Sequence, residues 1–378
     1  MKPIYVDHGA TTPLLKEALE EGMPYLETNF ANPSSLHPFG IEVRKRINIE
    51  RENLAKSLKV SPKELYFTSG ATEAINLVLQ GVSKCVGHDK EILTTKIEHK
   101  ATLNTLHTLE KEDVVVRYIP VDAEGLFDFD IFEEMLTPKV GLVSLMWANN
   151  EIGTLYDMEK IASICQKKNV LLHVDAVCVA TKIDMDLSKI PIDYLSISAH
   201  KFYGPKGIGL LFVRDNAPIC PLIFGGSHEN HLRAGTENVF GIVALSKAFS
   251  IMSEKRKEVI NHLNELTTAF REELSQIDGV YFNGPKALSN QLPGLVSVRI
   301  KGFQSIALGF ELARHGIYAS SGSACNSDVI EESHVIQVVN RDCLEDFGVV
   351  RFTFGKDNTK EEVNRIVHVI KEIIEENN

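Results

Sequence analysis

Two rhythms of apolar and polar positions alternate along roughly the first 240 residues. The first is the short, nearly continuous apolar run. It recurs at Leu65 to Thr68, Glu91 to Thr95, Val114 to Ile119, Val140 to Met146, Val170 to Asp175, Tyr194 to Ser198 and Gly209 to Val213. Runs without strict alternation suit strands buried on both faces. The second rhythm is helical spacing, as in Thr72 to Leu79 after the turn Ser69-Gly70-Ala71. Alternating strands and helices predict an α/β fold with a mainly parallel sheet covered by helices. From Leu245 to Ile277 the residues Phe249, Met252, Val259, Leu263, Leu266, Phe270 and Leu274 keep helical spacing. That pattern predicts one long helix leading into a second region. Strand patterns follow at Leu295 to Ile300 and Val349 to Thr353. The chain ends in a helix opened by a capping box, Thr359 and Glu362, with a core-facing stripe from Val363 to Ile374.

Length and composition narrow the class. A chain of 378 residues exceeds the usual single core, so two domains are expected. With 44% hydrophobic and 24% charged residues, disorder and low-complexity classes are excluded. The apolar stretch from Val140 to Ala148 is about half of a membrane span. The segment from Met1 to Asp7 has no apolar export signal. A formal charge of -11 gives no general attraction to nucleic acid or anionic membrane. Six cysteines, at 85, 165, 178, 220, 325 and 343, are too scattered for a disulfide scaffold, and none forms a C-x-x-C pair. The expectation is a cytoplasmic protein with reduced thiols and no metal site.

Five places carry candidate chemistry. Lys201 follows a buried-strand pattern and precedes the glycine-rich stretch Tyr203-Gly204-Pro205-Lys206-Gly207. Asp175 closes an apolar strand, where an unpaired charge is costly. An Asp and a Lys at successive strand ends fit pyridoxal 5'-phosphate (PLP): the Lys holds it, and the Asp keeps its ring nitrogen protonated. Ser69-Gly70-Ala71-Thr72, between strand and helix, suits an anion. It also reads as a plain helix start. His99 after a strand is either a packed histidine or a ring that stacks on a planar cofactor. Cys325 lies in a run of small residues from Ser320 to Ser327, which predicts an exposed loop and an accessible thiol. The other cysteines sit mostly in apolar or helical patterns and read as packing.

These stretches occur in a familiar order. Asp7 to Pro13, Asn32 to His37, Thr68 to Glu73, Glu98-His99-Lys100, Asn149 to Gly153 and His173 to Ala176 come first. Ser198 to Lys201, Gly225 to Glu229, Arg233 to Asn238 and Ser321 to Cys325 complete the series. The chain resembles the cysteine desulfurases, in the class V aminotransferase family of PLP enzymes, over nearly its whole length. The Ser-Gly-Ser-Ala-Cys loop is similar to the NifS/IscS branch rather than the SufS-like one.

The resemblance implies PLP fold type I. A large domain, 14–255, would carry a mainly parallel seven-stranded sheet. A smaller α+β domain, 1–13 and 256–378, would carry the cysteine loop. It implies a homodimer that removes sulfur from L-cysteine, leaving L-alanine and a persulfide on Cys325. Lys201 would hold PLP and move the substrate's α-proton. Asp175 would face the ring nitrogen and His99 would stack on the ring. Ala71, Thr72, Ser198 and His200 would bind the phosphate, joined by Thr236 of a second subunit. Asn150 and Arg351 would hold the substrate carboxylate, with Asn150 also near the cofactor's phenolic oxygen. The sulfur acceptor would be an iron–sulfur scaffold or a tRNA-thiolation enzyme.

Two positions depart from the family pattern. Cys178 stands where the family has a Gln that donates to the cofactor's phenolic oxygen, and a thiol is a weaker, shorter donor. Ile75 stands where Asn is common. Selenocysteine would react through the same apparatus. A plain aminotransferase would have no use for Cys325. A weakened chain serving as a sulfur relay is the reading that Cys178 encourages.

Overall fold

β-branched and aromatic side chains pack best on pleated, buried surfaces, and each early apolar run becomes a strand. The computed structural model describes residues 2–87, 90–321, 333–340 and 346–377. In chain order the strands are β1 (Ile4–Tyr5), β2 (Leu65–Thr68), β3 (Glu91–Thr95) and β4 (Val116–Ile119). Then come β5 (Val140–Met146), β6 (Leu171–Asp175), β7 (Tyr194–Ser198) and β8 (Gly209–Val213). The later ones are β9 (Val280–Asn283), β10 (Leu295–Lys301), β11 (Ile317–Tyr318) and β12 (Phe347–Thr353).

Seven of them form one sheet in the order β2-β8-β7-β6-β5-β3-β4. Every pairing is parallel except the two made by β8. This is the mainly parallel seven-stranded sheet expected of the fold. Register decides where the chemistry falls. Asp175 pairs with Met146 on one side and Ser196 on the other. Asn150, Asp175 and Lys201 therefore leave the sheet at one edge, the carboxyl ends of parallel strands. His99, beyond β3, leaves there too. Crevices at that edge are where open α/β sheets bind ligands.

A second apolar cluster surrounds the antiparallel sheet β12-β10-β9 and the short parallel pair β1-β11. Helices Arg256–Leu274, Ser305–Arg314 and Lys360–Asn377 cover it. Ile4 and Val6 from the chain start belong to this cluster. A smaller cluster, including Ile97, Ile152, Ile336 and Val349, joins the two regions. The final helix has the capping box read from the sequence. The Glu362 carboxylate accepts from the Thr359 N–H (3.1 Å), and Thr359 Oγ1 accepts from the Glu362 N–H (3.3 Å). No helix among the described residues is long and apolar enough to cross a membrane.

Two expectations are corrected. The long helix is two, Val239–Glu254 and Arg256–Leu274, separated at Lys255. Phe249 packs in the large sheet's cluster, while Leu263 and Phe270 pack in the second. One straight rod cannot face both. The thiols are also not all separate, because Cys85 and Cys220 form a disulfide with Cα atoms 6.1 Å apart. These residues are 135 positions apart, and nothing local in the sequence relates them. Cys165 and Cys178 are free.

Candidate active site

At the sheet edge lies a cleft of ≈ 600 Å³. Lys201, Asp175, His99, Ser198, His200, Ala71, Thr72, Asn150, Cys178 and Arg351 all line it. Ile75 lines it as well.

Lys201 ends a single 3-10 turn, Ala199–Lys201, directly after β7. Its Nζ donates to the Gly9 carbonyl (2.5 Å) and the Ala10 carbonyl (3.0 Å). Burial pushes its amine below the ordinary lysine value. The turn is fixed from the N-terminal segment. The His200 carbonyl accepts from both the N–H (3.0 Å) and Oγ1 (2.9 Å) of Thr12.

Asp175 is buried at the end of β6, and its Oδ1 accepts from the Val177 N–H (3.0 Å). Burial raises this carboxyl above its usual range, with the His99 ring opposing. A cationic ring nitrogen beside it would favour the ionised form. His99 caps helix Lys100–Glu110 with its side chain, since Nδ1 accepts from the Ala101 N–H (3.0 Å). In the neutral ring the proton is then on Nε2. Burial lowers this imidazole's pKa, and Asp175 opposes.

The anion end is built from backbone. Helix Ala71–Val86 starts at Gly70, with φ 153°, and has no side-chain cap. Its first-turn N–H groups and positive dipole end open where Ala71 and Thr72 line the cleft. Close approach makes this possible. A Cβ on Gly209 would lie 2.7 Å from the Gly70 Cα. Ser198 adds a hydroxyl here and His200 a ring, which burial holds neutral with a pKa lowered to about 4.

The opposite wall is polar. Asn149 is fully buried and ties its loop. Its Nδ2 donates to the Ile97 carbonyl (2.8 Å), and its Oδ1 accepts from the N–H groups of Glu151 (2.8 Å) and Ile152 (2.9 Å). Arg351, on β12, donates to the Asn150 carbonyl (2.8 Å) and to Asp7 Oδ1 (2.9 Å). Its Nε is buried with no hydrogen-bond partner. Ser320 also lines the cleft and exchanges both backbone hydrogen bonds with Arg351.

Thr236, expected from a second subunit, does not line the cleft of this chain. Thr236 is exposed and lines a neighbouring pocket with Ser69 and Gly207. Cys325 lies outside the described residues. Sequence reading assigned no role to Asp7, Glu98 or Asn149, although each stands in one of the motifs that carry the resemblance.

The residues fit PLP. A buried carboxylate, an uncapped helix start, an imidazole ring and a primary amine all line the one cleft.

Residues 4–366 match the class-V aminotransferase family, and the chain belongs to it. An IscS cysteine desulfurase of Dictyoglomus turgidum is 41% identical over 99% of this chain and 95% of that one. Another, from Methanosarcina thermophila, is 38% identical over 99% of this chain and 92% of its own length. A solved NifS-like protein superposes with a TM-score of 0.92 at 38% identity, covering 99% of both chains. These full-length relatives support cysteine desulfurase function. A structure described as SspA in complex with cysteine is similar at TM-score 0.81 and 30% identity, over 94% of this chain and all of that one.

Proposed function

We propose that the cleft binds PLP and removes sulfur from L-cysteine, giving L-alanine and a persulfide on Cys325. The observation that carries this reading is the convergence of Asp175, His99, Lys201, the uncapped helix start and the Arg351 side chain on one cleft. The cysteine-bound SspA structure, similar along most of the chain, supports the substrate. When bound, PLP supplies an electron sink for the charge left as the α-proton departs.

The chain's own groups do the rest. Asp175 holds a proton at the ring nitrogen. The His99 ring would stack on the cofactor, and its Nδ1 bond to Ala101 fixes the ring's orientation. Ala71, Thr72, Ser198 and His200 bind the phosphate, with Thr236 of a second subunit. Cys178 borders the cofactor. Asn150 and Arg351 orient the substrate carboxylate. Lys201, its amine favoured by burial, carries the α-proton at Nζ. Cys325 sulfur bonds to the substrate sulfur as the carbon–sulfur bond breaks, and the carbon fragment gains a proton to become alanine. The persulfide then passes to an acceptor protein, an iron–sulfur scaffold or a tRNA-thiolation enzyme.

The two apolar clusters support a large domain at 14–255 and a small one at 1–13 and 256–378. Exposed Phe224 (81%), Leu36 (83%) and Phe30 (68%), with an exposed Thr236 outside its own cleft, support a homodimer. The acidic composition and the sparse cysteines support a cytoplasmic location.

The test is an assay with L-cysteine. Wild-type protein should be yellow and form alanine and protein persulfide in equal amounts. Lys201→Ala should lose the cofactor absorbance and both products. Cys325→Ser should lose the persulfide. A colourless wild type, or persulfide that persists in Cys325→Ser, would overturn the reading.

A further inference from the structure

Helix Ala71–Val86 is gripped near both ends by one stretch of chain. At its C-terminal end Cys85 is bonded to Cys220. At its first turn Glu73 pairs with Arg233, Nε to Oε1 at 2.9 Å. Between these points Ile219 and Leu222 pack on the cluster that holds Leu77, Val78 and Val82. The stretch 219–233 therefore runs along the helix from its far end to the end that opens on the cleft. It carries the exposed Ile223 and Phe224.

The two grips differ in chemistry. Arg233 and Glu73 form an ion pair that no redox change touches. Cys85 is exposed, so its sulfur is open to an external thiolate. The backbone also holds the pair together without the bond. The Cys220 N–H donates to the Gly81 carbonyl (3.2 Å), and a Cβ on Gly81 would lie 2.5 Å from the Cys220 oxygen. A helix glycine thus lets the 220 backbone sit directly on the helix. After reduction the two thiols remain neighbours, so the bond can form again.

We propose that Cys85 and Cys220 are a reversible thiol–disulfide site that locks segment 219–233 onto helix Ala71–Val86, and that reduction leaves the Cys220 end held by the backbone contact alone, so that it opens more often. The reagents are low-molecular-weight thiols and disulfides. In closure the Cys85 thiolate attacks a small disulfide, forming a mixed disulfide and releasing one small thiol. The Cys220 thiolate then attacks the Cys85 sulfur, forming the protein disulfide and releasing the second small thiol. Two protein thiols are oxidised and one small disulfide is reduced, and the two protons go to the departing thiols. Opening is the reverse. Exposed disulfides in reducing compartments are redox-responsive rather than structural.

The experiment uses the full-length protein, fully reduced or oxidised with an excess of a low-molecular-weight disulfide. Site-resolved alkylation and backbone hydrogen exchange at 218–225 are measured. Oxidation should protect Cys85 and Cys220 from alkylation and slow exchange there by roughly tenfold. Cys85→Ser and Cys220→Ser should exchange at the reduced rate under both conditions. Full alkylation of both cysteines after oxidation, or exchange indifferent to the bond, would overturn the proposal. Neither readout needs cofactor or L-cysteine, so the lock stands or falls separately from the desulfurase assay.

Discussion

Glu98 is 1% exposed and sits immediately before His99. Its two oxygens accept from Thr95 Oγ1 and the Met146 N–H, both at 2.8 Å. Its carbonyl accepts from His334 Nε2 (2.9 Å). This one residue ties β3, β5 and the helix His334–Val339 behind the site. Burial raises its pKa from about 4.5 to about 8. Between those values the folded state keeps a proton that the unfolded state has released. Stability should therefore fall as pH rises through that window, by up to about 1.4 kcal/mol per unit, and level off above it. Glu98→Gln should flatten the slope while keeping an acceptor for Met146. Denaturant unfolding across pH checks this, and parallel profiles for the two proteins would refute it. The local signal explains what was legible at this scale. Asp175 and Lys201 stand out because a charge at the end of a buried strand has few structural excuses. Asp7 and Arg351 are 344 positions apart, and their pairing has no local trace.

At the scale of elements, Gly81 shows tertiary contact overriding propensity. Ala in place of a mid-helix Gly ordinarily stabilises by up to about 1 kcal/mol. Here the added carbon would meet the Cys220 carbonyl at 2.5 Å. Gly81→Ala should instead destabilise by about 1–2 kcal/mol, as overpacking does. A more stable variant in thermal unfolding would show that segment 218–222 yields. The same override breaks the helix pattern at Lys255. Periodicity reports which residues seek burial, but not that two different cores bury them.

For the whole molecule, the exposed apolar side chains around Phe224 and the exposed Thr236 make one prediction. The protein should sediment as two copies. Phe224→Asp should weaken the dimer by on the order of tenfold or more and lower PLP retention, because Thr236 would no longer reach the second cleft. A monomeric wild type with full cofactor occupancy would exclude a shared site.

The sequence by itself determined the α/β class, the sheet strands, the capped final helix and, at the sheet edge, Asp175, Lys201, His99 and the helix start at Ser69 to Thr72. Each of these follows from neighbours within a few positions: burial rhythm, strand ends and helix starts. It was also enough, through motif order, for the family. Only the tertiary structure decided the Arg351–Asp7 pair, the two helices meeting at Lys255, and the bond between Cys85 and Cys220. These join residues that chain order leaves far apart or assign neighbours to different cores. Such contacts exist only once the sheet has set which edge, face and backbone come together.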